Sequence, residues 1–222
     1  MKKAAVIMTL AVLTAGTAMA GIIAYWESDV NAPTWSDTGI VTATSFKSGV
    51  ANDATFGSND GTFGTVGSAN TAVGGMKGKA GNTMSLKLLN AGAQDLRLDS
   101  LHFDYTWTFA AAPTNVTVTL SGGQLDDANG TLITSYAATA NISKYNDYTD
   151  IDVTLSSVLS DIVLANGQFA TFQFTFGAAS GTAASGLDNI AVYGTVIPEP
   201  ATFGLMASFG AAIIFIRRKM RL

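Results

Sequence analysis

No cysteine occurs in this 222-residue chain, and only one histidine, His102. The first absence removes disulfide stapling, thiol catalysis and thiolate metal sites. The second removes any zinc centre built on several imidazoles. Glutamate is nearly as scarce, at Glu27 and Glu199 alone. Proline occurs four times, at positions 33, 113, 198 and 200. Basic residues number 12, and six of them (Lys2, Lys3, Arg217, Arg218, Lys219 and Arg221) sit at the two ends. Between residues 21 and 196, six basic side chains face fifteen acidic ones, a net charge of −9. Nucleic acid and anionic lipid both need basic surface, so neither is a partner of this middle part. An acidic, soluble surface suits cations and polysaccharide matrices instead.

The ends are different in kind. Lys2 and Lys3 precede a short apolar run at 4–12, and Ala18-Met19-Ala20 follows. This is the order of a cleavable export signal, with the cut between Ala20 and Gly21 by signal peptidase. The apolar run is too short to serve comfortably as a permanent anchor. At the other end, Pro198-Glu199-Pro200 makes a stiff extended segment, because each proline fixes φ and restricts the residue before it. Residues 201–216 carry no charge, and Arg217, Arg218, Lys219 and Arg221 follow. Sixteen residues give a helix of about 24 Å, slightly short of the roughly 30 Å hydrocarbon core. Snorkelling side chains absorb that mismatch. The basic cluster sets the orientation, with Leu222 on the cytoplasmic side. A buried C-terminal helix is the competing reading, but it would show a polar face.

This tripartite tail resembles the PEP-CTERM sorting signal of Gram-negative bacteria. The resemblance covers residues 197–222 only. It implies recognition of Pro198, Glu199 and Pro200 by a membrane-embedded exosortase. Cleavage at or near the motif would then release or transfer the exported part to the cell surface or extracellular matrix. It implies a span at 201–216, basic residues at 217–221 and transient anchoring in the inner membrane. The expected organisation is a signal peptide at 1–20, an exported domain at 21–196 and a sorting segment at 197–222.

The middle is rich in Thr, Ser, Asn, Gly and Ala, a composition that disfavours long helices and suits strands joined by tight turns. Residues 101–109 (LHFDYTWTF) alternate strictly. Leu101, Phe103, Tyr105, Trp107 and Phe109 take one face, and His102, Asp104, Thr106 and Thr108 take the other. That pattern predicts a half-buried antiparallel strand. Similar alternation at 83–89, 115–121, 148–155 and 168–176 predicts further strands, with shorter ones at 21–26, 39–46, 95–99, 131–137 and 187–196. Residues 157–164 read as one helical turn or a strand. Residues 47–81 hold nine glycines and read as a flexible stretch, with 62–66 as a candidate strand. The expected fold is all-β, an antiparallel β-sandwich or jelly roll. Its core would pack Phe103, Tyr105 and Trp107 against Phe172, Phe174 and Phe176. The closing Leu187-Asp188-Asn189-Ile190 run is also similar to the last strand of jelly-roll exported domains of this sorting class.

No constellation in the middle spells out catalysis. Asp150 and Asp152 share a strand face and read as a solvated polar edge, although paired carboxylates also serve glycoside cleavage. His102 and Asp104 read as a surface pair without a nucleophilic serine. Asp126, Asp127 and Asn129 in a turn, and Asp188 and Asn189 before the final strand, are candidate Ca²⁺ ligands, but asparagine- and aspartate-type turn chemistry is the better explanation of the same residues. Trp107 belongs to the core by its alternation. Tyr25 and Trp35 are freer to stack on sugar rings. The sequence therefore reads as an exported surface or matrix protein with a structural role, needing no cofactor and having no enzymatic activity. The alternatives are a β-sandwich carbohydrate-binding module, with exopolysaccharide as partner, and a polysaccharide hydrolase or lyase.

Overall fold

A computed structural model describes residues 20–26, 32–53, 58, 75–107, 109–125, 130–138 and 148–198. The export signal before Ala20, the candidate strand at 62–66, the turn residues Asp126, Asp127 and Asn129, and the tail from Glu199 onward lie outside them. Residues Met19–Ile197 form one compact unit. Among the described residues no helix is long and apolar enough to cross a membrane.

The elements are β1 (Gly21–Trp26), β2 (Trp35–Ser36), β3 (Val41–Ser48), β4 (Ala51–Asp53), β5 (Gly75–Gly78), β6 (Thr83–Asn90), β7 (Asp95–Trp107), β8 (Asn115–Gly123), β9 (Thr131–Ala137), β10 (Thr149–Thr154), a 3₁₀ turn at Leu155–Ser157, β11 (Val163–Leu164), β12 (Phe169–Phe176) and β13 (Ser185–Ile197). They make two antiparallel sheets. The larger runs β10-β7-β13-β1-β2, with β11 also on β7, and β5 and then β4 beyond β13. The smaller runs β3-β6-β12-β8-β9.

Alternation decides which side chains each sheet buries. On the small sheet Val41, Ala43, Met84, Leu86, Leu88, Val116, Val118, Leu120, Phe172, Phe174 and Phe176 point inward and are buried. From the large sheet Trp26, Leu101, Phe103, Tyr105, Ile190 and Val192 meet them. Phe103 meets Phe174 edge-on at 5.2 Å between ring centroids, and Tyr105 lies 6.2 Å from Phe176. This is the sandwich core that the alternating aromatics predict. The Tyr105 hydroxyl donates to the Pro113 carbonyl at 2.9 Å. Burial pushes its pKa up to about 12, and the Ser185 hydroxyl offsets a little of that.

Three local departures carry the site described below. First, 95–99 and 101–109 are not separate strands. They join in β7, and the buried set changes from even positions (Leu96, Leu98) to odd ones (Leu101, Phe103, Tyr105). The register against β13 shifts between Leu98 and Ser100, where Tyr193 and Gly194 stand opposite. Asp99 is the extra residue of a β-bulge, which restarts the alternation in the other phase. The strand ends at Trp107, which is only half-buried. Phe109 lies beyond it, in a turn closed by Ala112 N–H to the Phe109 carbonyl, and is 47% exposed.

Second, Asp188 does not precede the final strand but lies inside it. Asp188 pairs with Asp104 and Ala191 with His102, so β13 spends one residue more than β7 between these two pairs. Asn189 sits there with φ of 47°, a left-handed conformation that asparagine tolerates better than most side chains. The bulge keeps both Asp188 and Ala191 on the outer face of the large sheet.

Third, the glycine-rich stretch is not wholly loop. β3 runs on to Ser48, and β4 and β5 pair with each other and extend the large sheet past β13. Lys77 Nζ reaches Asp53 Oδ2 at 2.7 Å across that pair. Gly78 is required for packing, because a Cβ there would stand 2.4 Å from the Phe176 ring.

Candidate functional site

Directly opposed residues in antiparallel strands share a face. Trp35 opposes Tyr25, Tyr25 opposes Ala191, Ala191 opposes His102, and His102 opposes Asp152. One row thus crosses β2, β1, β13, β7 and β10 on the face turned away from the core. The next row runs Asp188, Asp104, Asp150. The outer face of the large sheet therefore carries an aromatic pair at the β2 edge and a carboxylate–imidazole cluster toward the β10 edge.

The aromatic pair is Tyr25 with Trp35. Their rings stack with centroids 6.0 Å apart and an interplanar angle of 21°. Sequence separation hid this contact, because β2 is only two residues long. Thr34 N–H donates to the Tyr25 carbonyl and Asp37 N–H to the Ile23 carbonyl, both at 2.9 Å, and these bonds hold the short strand in register. Trp35 stays 40% exposed on that edge, while Tyr25 is half-buried behind it. Trp26, next in the chain, points the other way and is fully buried.

The cluster corrects an expectation. His102 and Asp104 are not a surface pair: His102 is 3% exposed and Asp104 fully buried, as are Thr106, Asp188 and Asn189. The strand is covered on both faces. Ser58, from the segment between β4 and β5, is itself fully buried; its N–H donates to Asp188 Oδ2 at 2.7 Å, and its hydroxyl accepts from Tyr148 N–H at 3.2 Å. At this residue the glycine-rich segment is packed on the sheet. The polar pattern of β7 was visible in the sequence, but the burial of His102, Asp104 and Thr106 was not.

Within the cluster His102 Nδ1 lies 2.7 Å from Asp152 Oδ1, and Nε2 lies 3.3 Å from Asp104 Oδ1. Asn189 Nδ2 donates to Asp104 Oδ2 at 2.7 Å. Burial by itself would push the imidazole pKa down. The hydrogen bonds and charges of Asp104 and Asp152 outweigh it and hold His102 up at about 9. Tyr193, which opposes Ser100 two register steps along, is pushed up by burial and then by the Asp152 charge. Asp150 and Asp152 are exposed as expected, on outer strand β10, yet Asp152 is committed to His102.

The remaining predicted residues fall as follows. Asp188 joins the buried row rather than a turn. Ala20 and Gly21 are exposed, with Gly21 opening β1, and Pro198 follows the end of β13. Glu199, Pro200, Arg217, Arg218, Lys219 and Arg221 lie outside the described residues. Ser58 was missed as a contributor to the site, because it acts through a distant backbone contact. Asn189 was expected only as a candidate Ca²⁺ ligand beside Asp188, and its bond to Asp104 depends on the bulge.

No family model and no curated protein matches the chain. Among solved structures it is similar to the K3 cleaved adhesin domain of Lys-gingipain from Porphyromonas gingivalis. That match has a TM-score of 0.40 and 11% identity, and covers 79% of this chain and 99% of that one. It is similar to the family 11 carbohydrate-binding module from Clostridium thermocellum, solved with a mixed-linked tetrasaccharide, at a TM-score of 0.34 and 11% identity over 78% of this chain and 96% of that one. A family 32 carbohydrate-binding module bound to GalNAc matches at a TM-score of 0.35 and 13% identity over 69% of this chain and 97% of that one.

Proposed function

We propose that the chain is an exported, surface-displayed glycan-binding β-sandwich without catalytic activity. The observation that carries this reading is the Tyr25–Trp35 stack at the β2 end of the large sheet, where Trp35 is 40% exposed. An exposed indole backed by a second ring is held flat without side-chain freedom to lose, and it offers an apolar face to the C–H face of a sugar. The −9 charge of residues 21–196 favours neutral or cation-bridged polysaccharide over anionic partners. Asp150 and Asp152 gain no support as a hydrolytic pair, because Asp152 is held by the imidazole.

The test is retention of full-length protein on insoluble and soluble polysaccharides, alongside a Trp35→Ala variant. Binding is expected to weaken at least tenfold, about 1.4 kcal/mol, with thermal stability preserved. Equal retention of the variant, or no binding on a broad glycan array, would defeat the reading.

Display at the surface rests on the two ends. The order of Lys2, Lys3 and Ala18-Met19-Ala20 supports export, and Pro198-Glu199-Pro200 with its apolar run and basic tail supports sorting by an exosortase. The mature mass, compared between hosts with and without exosortase, tests this. An intact tail in both would count against sorting by cleavage.

A further inference from the structure

His102, Asp104 and Asp150 stand on the adjacent strands β7 and β10. Each offers one ligand atom, and the three atoms lie within 4.8 Å of one another. Donors about 2.0–2.2 Å from a shared ion are separated by roughly 3–4.5 Å. Small side-chain rotations would close the set on one ion.

Two further contacts orient these donors. Asp152 accepts at His102 Nδ1, which turns Nε2 toward the Asp104 oxygen. A carboxylate on the far nitrogen of a ligating imidazole is the usual outer partner at metal centres. Asn189 holds Asp104 Oδ2, which leaves Oδ1 on the imidazole side. Asn189 sits at the β13 bulge, which places its amide beside Asp104. Asp150, Asp104 and Asp188 also stand directly opposite one another in a single row.

The donor set selects the ion class. Calcium takes oxygen ligands, whereas one imidazole nitrogen with two carboxylates suits zinc or manganese. We propose that His102, Asp104 and Asp150 form a binding site for a divalent ion of the zinc class, positioned by Asp152 and Asn189. The site is separate from the aromatic platform and does not depend on the glycan reading.

Because His102 is the sole imidazole and cysteine is absent, the test is clean. Untagged full-length protein in detergent, first treated with chelator, is titrated with Zn²⁺ by calorimetry and followed through the ¹⁵N signals of its single imidazole. One equivalent is expected to bind, with the Nε2 signal moving to a metal-bound position and Nδ1 keeping its proton toward Asp152. Asp150→Asn should lower the affinity at least about tenfold, read as the change in Kd from the same titration. Asp152→Asn should lower it about 10–100-fold. The site is overturned if neither Zn²⁺ nor Mn²⁺ moves the imidazole signals at millimolar concentration. It is equally overturned if Asp150→Asn binds as the parent does, or if only Ca²⁺ binds and leaves the imidazole unmoved.

Discussion

His102 Nδ1 lies 2.7 Å from Asp152 Oδ1, joining a buried ring on β7 to an otherwise exposed carboxylate on β10. This contact ties an edge strand to the centre of the large sheet. With Asp104 on the other side, it keeps the imidazole charged well past neutrality.

The folded pKa of about 9 exceeds the ordinary 6.5. In metal-free protein the resulting stabilisation is complete below pH 6.5. It is lost as pH rises through 9, amounting to about 3 kcal/mol at most. Denaturant melts between pH 6 and 9.5 should show this loss, and His102→Gln should flatten it. The single imidazole allows a direct check by NMR titration. A midpoint near 6.5 would show that the two carboxylates do not act as the geometry requires.

Asn189 contributes in two ways that substitution separates. Asn189→Ala loses the tolerance for φ of 47° and the hydrogen bond to Asp104, at about 1–2 kcal/mol for the backbone and about 1.5–3 kcal/mol for the bond to a charged group. Asn189→Gly restores only the backbone part. Glycine should therefore melt between parent and alanine in chemical denaturation. Equal melting of the two variants would assign the whole effect to the side chain.

Gly123 closes β8 with φ of 119°, and a Cβ there would stand 2.2 Å from the Phe169 carbonyl oxygen. Gly123→Ala should cost roughly 2 kcal/mol or more, since strained backbone and a backbone clash coincide. The denaturation midpoint reads this directly. A neutral result would mean that β8 and β12 separate there at little cost.

Phe174→Ala removes the edge-on partner of Phe103 from the sandwich core and should destabilise by about 3–5 kcal/mol. Phe46, 65% exposed on edge strand β3, should tolerate alanine within about 0.5 kcal/mol. Comparable losses at both positions would contradict the assignment of inner and outer faces.

Period-two alternation determined much of this protein before any coordinates. Phe103, Tyr105, Phe172, Phe174 and Phe176 announce two facing sheets, because only one parity of a strand can meet the core. The charge balance and the lone His102 likewise bounded the chemistry by composition alone. Tertiary structure decided what alternation cannot carry. The bulges at Asp99 and Asn189 reset the parity within single strands. Cross-strand register put Trp35 against Tyr25, and Asp150 beside Asp104 and Asp188. The β7 face that reads as solvent-facing is buried at His102, Asp104 and Thr106. Each of these depends on which segments meet in space. A local pattern fixes the direction of a side chain relative to its own strand, but it holds no information about what lies above it.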